Sequence, residues 1–195
     1  MKLRFALLTL LAGLALAPGA RAAGTPWIGL TAGVGMPTGH FGDVANSGWN
    51  AGLTGDYALS ERFALGGELS WHSFGGSSDY EKLESVRHST PVNATNTLIP
   101  VLVHVRLLTP WGSDLHPYGV VGVGLYHRSS KLEYSGGSSS ASDTKFGFSL
   151  GAGVRRKTSN NVELGAEARY HWISDSPDSF NLLTLRGQML FAFGG

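Results

Sequence analysis

Between residues 162 and 172 the chain carries two interleaved sequences. Val162, Leu164, Ala166, Ala168, Tyr170 and Trp172 are apolar or aromatic, and Glu163, Gly165, Glu167, Arg169 and His171 between them are ionic, imidazole or small. A period of two is the side-chain period of a β-strand, so one face of this segment is oily and the other carries charge. A half-buried soluble strand rarely shows so large a contrast. Acid, base and imidazole opposite a face that ends in Tyr-Trp is the pattern of a strand standing between lipid and a polar lumen.

The amino terminus supplies a route to such a setting. Lys2 and Arg4 precede an apolar run over 5–17, and the stretch 18–23 ends in small residues, with Ala20-Arg21-Ala22 in the position of a cleavage site. This is the pattern of a secretory signal peptide. Residues 1–22 are therefore read as the signal and 23–195 as one domain, since no linker interrupts the alternation of apolar segments with Gly, Ser and Asn clusters. The chain has 28 glycines, no cysteine, 15% charged residues and a formal net charge of +1. Neither a disulfide framework nor a nucleic-acid-binding stripe fits that composition. No segment after the signal approaches the roughly 20 apolar residues of a spanning helix, the oiliest, 98–108, being broken by Pro100, His104 and Arg106. A membrane crossing then requires a closed barrel, because only closure pairs every backbone N–H and C=O in lipid.

Eight segments have the required pattern: 27–36, 49–59, 62–74, 97–108, 117–128, 144–156, 162–172 and 182–193. The connections after the second, fourth and sixth are short, and those after the first, third, fifth and seventh are longer, with 75–96 the extreme. Short periplasmic turns and long extracellular loops characterise an all-β, eight-stranded antiparallel up-and-down transmembrane barrel, with both termini in the periplasm. Trp49, Trp71, Tyr170 and Trp172 fall at the loop ends of their strands, and Trp27, Tyr57, Phe63 and Phe193 at the turn ends, as interfacial aromatic belts would. In the fifth strand Val121, Val123 and Leu125 are placed outward, with Tyr118, Val120 and Tyr126 competing for the lipid face. Pro100 fits worst, and implies a bulge, a local break or a strand starting at Val101.

Alternation places Asp56, Glu68, Glu163 and Glu167 inward together with Arg106, Arg155, Arg169 and Arg186. An eight-stranded barrel is just wide enough for side chains to fill it, and charges withdrawn from water must pair. These eight residues are expected to form an interior salt-bridge network that plugs the lumen.

At this point the chain resembles the small eight-stranded outer-membrane barrels, the family of OmpA transmembrane domains and OmpX. The resemblance covers everything after the signal peptide. It rests on Gly33-Val34-Gly35-Met36-Pro37-Thr38-Gly39-His40-Phe41-Gly42-Asp43 closing the first strand and Pro117-Tyr118 with Gly122 and Gly124 in the fifth. Gly151-Ala152-Gly153-Val154 in the sixth and the aromatic end Phe191-Ala192-Phe193 complete it. The family's terminal assembly signal usually ends on an aromatic residue, whereas Gly194-Gly195 follow Phe193 here. The resemblance implies a non-catalytic protein of the cell outer membrane with a structural or adhesin-like surface role. Membrane lipids and lipopolysaccharide, the barrel-assembly machinery with periplasmic chaperones, and an extracellular ligand of the outer loops are its implied partners.

Signals for chemistry are weak. Glu163 and Glu167 share a face but lie four strand residues apart, roughly 13 Å, too far for a paired acid/base site within one strand. His72, His104 and His171 point inward without the tight spacing of a metal site, so hydrogen bonding is expected of them and no metal or cofactor. The enzymatic alternative is a lipid A deacylase, for which His171 and Ser174 lie near the outer rim. Their three-residue offset puts them on opposite faces, where such a hydrolase needs both on one. A small-solute channel of low conductance is the remaining alternative.

Overall fold

The computed structural model describes residues 24, 26–60, 62–88, 92–109, 115–135, 137–159, 161–175 and 180–193. The proposed signal peptide and Gly194-Gly195 lie outside them. Eight strands, β1 (Pro26–Thr38), β2 (Gly48–Ala58), β3 (Phe63–Gly75), β4 (Val92–Leu108), β5 (Leu115–Tyr134), β6 (Gly137–Ser159), β7 (Val162–Ile173) and β8 (Phe180–Ala192), pair antiparallel in chain order. β8 returns to β1, from Trp27 opposite Ala192 to Thr38 opposite Asn181, and closes the barrel. Two helices stand between strands at the loop end, α1 (His40–Val44) and α2 (Ser78–His88).

Side-chain alternation sorts the wall. Ile28, Leu30, Val34, Leu53, Leu69, Val121, Val123, Leu125, Phe148, Leu150, Leu185 and Met189 all stand exposed on the outer surface. So broad and continuous an apolar surface does not occur on a soluble monomer and requires lipid around it. Tyr118, Val120 and Tyr126 are buried inside, which settles the facing of β5 in favour of Val121, Val123 and Leu125 outward. Trp49 and Trp71 lie exposed near the loop end, and there Trp172 stacks on Phe148 at 4.8 Å and meets Tyr170 edge-on at 4.4 Å.

At two segments the structure either selects among the alternatives the sequence offered or departs from its reading. β4 runs through Pro100 without a bulge, pairing it with Tyr126 on the β5 side. On the β3 side the ladder passes from Leu69 opposite Val101 to His72 opposite Leu98 in constant register, with Ser70 and Trp71 unmatched. The missing N–H of proline is thus absorbed as a local break against one neighbour. The second difference is at the loop end, where residues 129–143, read as a loop, continue β5 and β6 as a hairpin, and β4 extends back to Val92 beside them. The Ser-rich residues 137–142 of β6 alternate no hydrophobicity, so the strand there left no period to find.

Candidate functional site

The lumen is filled by two ionic clusters that share Glu167. In the first, Asp56 on β2 receives Arg106 Nη1 and Arg155 Nη2 on its Oδ2, the latter at 2.6 Å, and His104 Nε2 on its Oδ1 at 2.8 Å. Gly66 on β3 makes this possible: a Cβ there would collide with His104 Nε2 and sit 2.5 Å from Asp56 Oδ1. The guanidinium carbons of Arg106 and Arg155 lie 5.3 and 5.0 Å from the centroid of the Tyr118 ring, a cation–π arrangement. Tyr118 reaches that position only because Gly153 faces it, where a Cβ would come within 2.5 Å of the phenol oxygen.

In the second cluster Arg186 of β8 forms a fork onto Glu68 of β3, both N–H···O distances being 2.5 Å. Its Nη2 also donates to Glu167 Oε1 at 2.7 Å. Arg169 adds a bond to Glu68 Oε2 at 3.1 Å and an ion pair to Glu167 at 2.8 Å. Glu167 Oε2 accepts from Tyr118 O–H at 2.9 Å and Gln188 Nε2 at 3.0 Å, and lies 3.5 Å from Arg106 Nη2, which joins the clusters. Bidentate, charge-assisted pairing of this kind offsets the cost of removing the ions from water. The structure brings together seven of the eight expected network residues. Glu163 lies at the edge of the network, half-buried at the turn end of β7 opposite Lys157 and near enough to Arg155 to act on it through its charge.

The histidines serve the same interior. His72 Nε2 lies 3.1 Å from Ser70 Oγ. Thr184 Oγ1 donates to the carbonyl of Arg169 at 3.2 Å and so accepts from His171 Nε2, 3.3 Å away; His171 Nδ1 then accepts from Tyr126 O–H at 2.9 Å. Among the described residues no group of His, Asp or Glu is arranged to hold a metal ion. His171 is buried in the lumen, whereas Ser174 lies exposed beyond the end of β7, with its N–H bonded to the carbonyl of Phe146. The two do not form a nucleophile–base pair.

Above the ions sits an apolar cap that sequence reading did not find. α1 drops Phe41 into the barrel mouth, where it stacks on Phe180 at 3.8 Å and meets Phe74 edge-on at 5.2 Å, over Leu98, Leu102 and Leu182. Arg128 covers Phe180, its guanidinium carbon 4.4 Å from the ring centroid. α1 is anchored to the neighbouring loop by Asn46, whose N–H donates to Gly75 O at 2.9 Å and whose Nδ2 donates to Gly76 O at 2.8 Å. The signal was present in Phe41 and Phe180, two aromatics outside the expected strands, but only the closed mouth brings them together.

A closed barrel with an apolar outer wall and a lumen filled with paired ions defines a small membrane-spanning barrel of the outer-membrane type. The chain belongs to the outer membrane protein beta-barrel domain family, whose model matches residues 5–187. No curated protein matches it. Among solved structures it is similar to Neisserial surface protein A, at 14% identity over 86% of this chain and 97% of that one, with a TM-score of 0.59. It is also similar to Ail, the attachment invasion locus protein of Yersinia pestis, solved in complex with the heparin analogue sucrose octasulfate: 16% identity, 86% and 99% coverage, TM-score 0.57. A major outer membrane protein from Thermus thermophilus matches at 12% identity, 86% and 99% coverage, TM-score 0.54. These likenesses establish the fold.

Proposed function

We propose that the protein is a non-catalytic integral outer-membrane barrel, exported by its signal peptide, with a plugged lumen and a surface-interaction role carried by its outer sheet and loops. The observation that carries this reading is a contrast. The interior is sealed by ion pairs and capped by Phe41, while β4, β5 and β6 continue past the barrel mouth into a polar sheet. Side chains that fill a lumen leave no solute path, and an exposed sheet is a binding surface in waiting. Ail, named for attachment and invasion, is a barrel of the same fold. The apolar wall supports membrane lipids and lipopolysaccharide as its surroundings, and the barrel fold supports assembly by the barrel-assembly machinery with periplasmic chaperones.

The test is made in cells. The protein is expected in the outer-membrane fraction, with unheated and boiled samples migrating differently on a denaturing gel, and with lipid A left intact. Expressing cells should attach to a host-cell monolayer or to one another, and replacing residues 129–143 by a two-residue turn should remove attachment while preserving the gel shift. Attachment unaffected by that replacement would overturn the surface role, and deacylated lipid A would overturn the non-catalytic one.

A further inference from the structure

β6 is longer at its outer end than the strand beside it. Its pairing with β5 extends to Gly137 opposite Tyr134, but its pairing with β7 begins only at Gly147 opposite Ile173. Over residues 137–144, among the described residues, β6 has one bonded side and one open side. The Ser174 N–H donates to the carbonyl of Phe146, so the backbone of residue 146 faces the β7 side. In an antiparallel ladder both backbone groups of a residue point the same way and alternate along the strand. The N–H and C=O groups of Ser138, Ser140, Ser142 and Thr144 therefore point away from β5, to the open side. Every residue from 137 to 144 is exposed. The segment contains no proline or bulge, and its only charges are Asp143 and, at its base, Lys145. Edge strands that avoid pairing are usually guarded by such devices, and this one is not.

Resting on the reading of the outer sheet as an interaction surface, we propose that its partner is the same edge of a second copy of this chain, embedded in an apposed membrane. Antiparallel pairing of two identical strands needs a two-fold axis across them. β6 descends from the tip of the hairpin toward its own membrane, so a copy running the opposite way has its membrane on the far side. One register uses every open group: Ser138 opposite Thr144 and Ser140 opposite Ser142, each twice, with Ala141 on the axis opposite itself. In that register Asp143 faces Ser139, so no like charges meet, and each Asp143 is balanced by its own Lys145, 3.4 Å away, which stays outside the paired segment beside Asp175 at 2.8 Å. The product is one continuous sheet across the gap, β4, β5 and β6 of each copy, with side-chain hydroxyls along its seam. Isologous pairing of this kind closes on itself and stops at two copies.

The experiment uses full-length mature protein in phospholipid vesicles, with outward-facing hairpins verified by external protease cleavage. Wild-type vesicles are expected to cluster, read by light scattering, and protein-free vesicles to stay dispersed. Ser140→Pro with Ser142→Pro removes two open-side donors and leaves the β5 ladder intact, so clustering should be lost while the heat-dependent gel shift persists. Ala141→Cys, in a chain with no other cysteine, should give an oxidation-dependent dimer between separately labelled vesicles, since residues facing one another at a two-fold lie within reach of a disulfide. Wild-type vesicles that remain dispersed, or proline-variant vesicles that cluster equally, would overturn the proposal. Dispersed vesicles alongside cells that still attach to monolayers would remove the second copy as partner and leave the surface role standing. Loss of both would remove the two readings together.

Discussion

Inside the barrel β5 sends Val121, Val123 and Leu125 outward and Tyr118, Val120 and Tyr126 inward, whereas past the mouth it only sets exposed Lys131 and Glu133 against half-buried Leu132 and Tyr134, and its partner segment 137–144 is exposed throughout. The same hydrogen-bonded ladder joins β5 to β6 in both regions. What differs is the surroundings. Within the membrane one face meets lipid and the other a packed lumen, so period two is demanded at each position. Beyond it, along 137–144 of β6, water lies on both sides, and serine and glycine serve as well as anything else. The closed region has no edge, and the open region keeps one, so stability belongs to the first and the proposed recognition to the second.

The largest expected effect lies in the closed region. Glu68→Gln leaves Arg186 and Arg169 without their main carboxylate in a site closed to water, and breaking a buried ion pair from one side typically costs about 3–5 kcal/mol. Urea unfolding of the refolded barrel, followed by gel shift, reads this directly; a loss below about 1 kcal/mol would mean that the cluster is hydrated rather than sealed. On the opposite face, Leu185→Arg should cost about 2–4 kcal/mol if it lies near mid-bilayer, while a polar exchange at inward Ser149 should be mild. Equal tolerance at the two positions would contradict the assigned facing.

The cap and the ions are two seals in series, and removing one should not open a channel. Phe41→Ala is expected to leave conductance in planar bilayers near the low wild-type level while speeding external protease cleavage around residues 40–45. A large, stable conductance would show that the ionic layer does not close the lumen. The smallest effect belongs to the outer sheet, where Ser139→Ala should change unfolding stability by no more than about 0.5 kcal/mol, as exposed substitutions do. A larger loss would mean that the hairpin supports the barrel rather than standing on it.

The sequence by itself determined the strand count, the facing of the wall outside β5 and seven of the lumen ions, because lipid on one side and close packing on the other force a two-residue period that can be counted. The period on β7 is enough to place Glu167, Arg169 and His171 inside. It cannot say which carboxylate meets which guanidinium, because the residues that share the lumen come from strands far apart in the chain: Glu68 and Arg186 are 118 residues apart and are joined only when the barrel closes. The same limit hid the cap, since Phe41 and Phe180 become neighbours only across the mouth. It also hid the β6 side of the outer hairpin, where water on both faces leaves no pattern to read. Local chemistry writes the wall, and closure of the ring decides which side chains meet across it and where a strand is left with an open side.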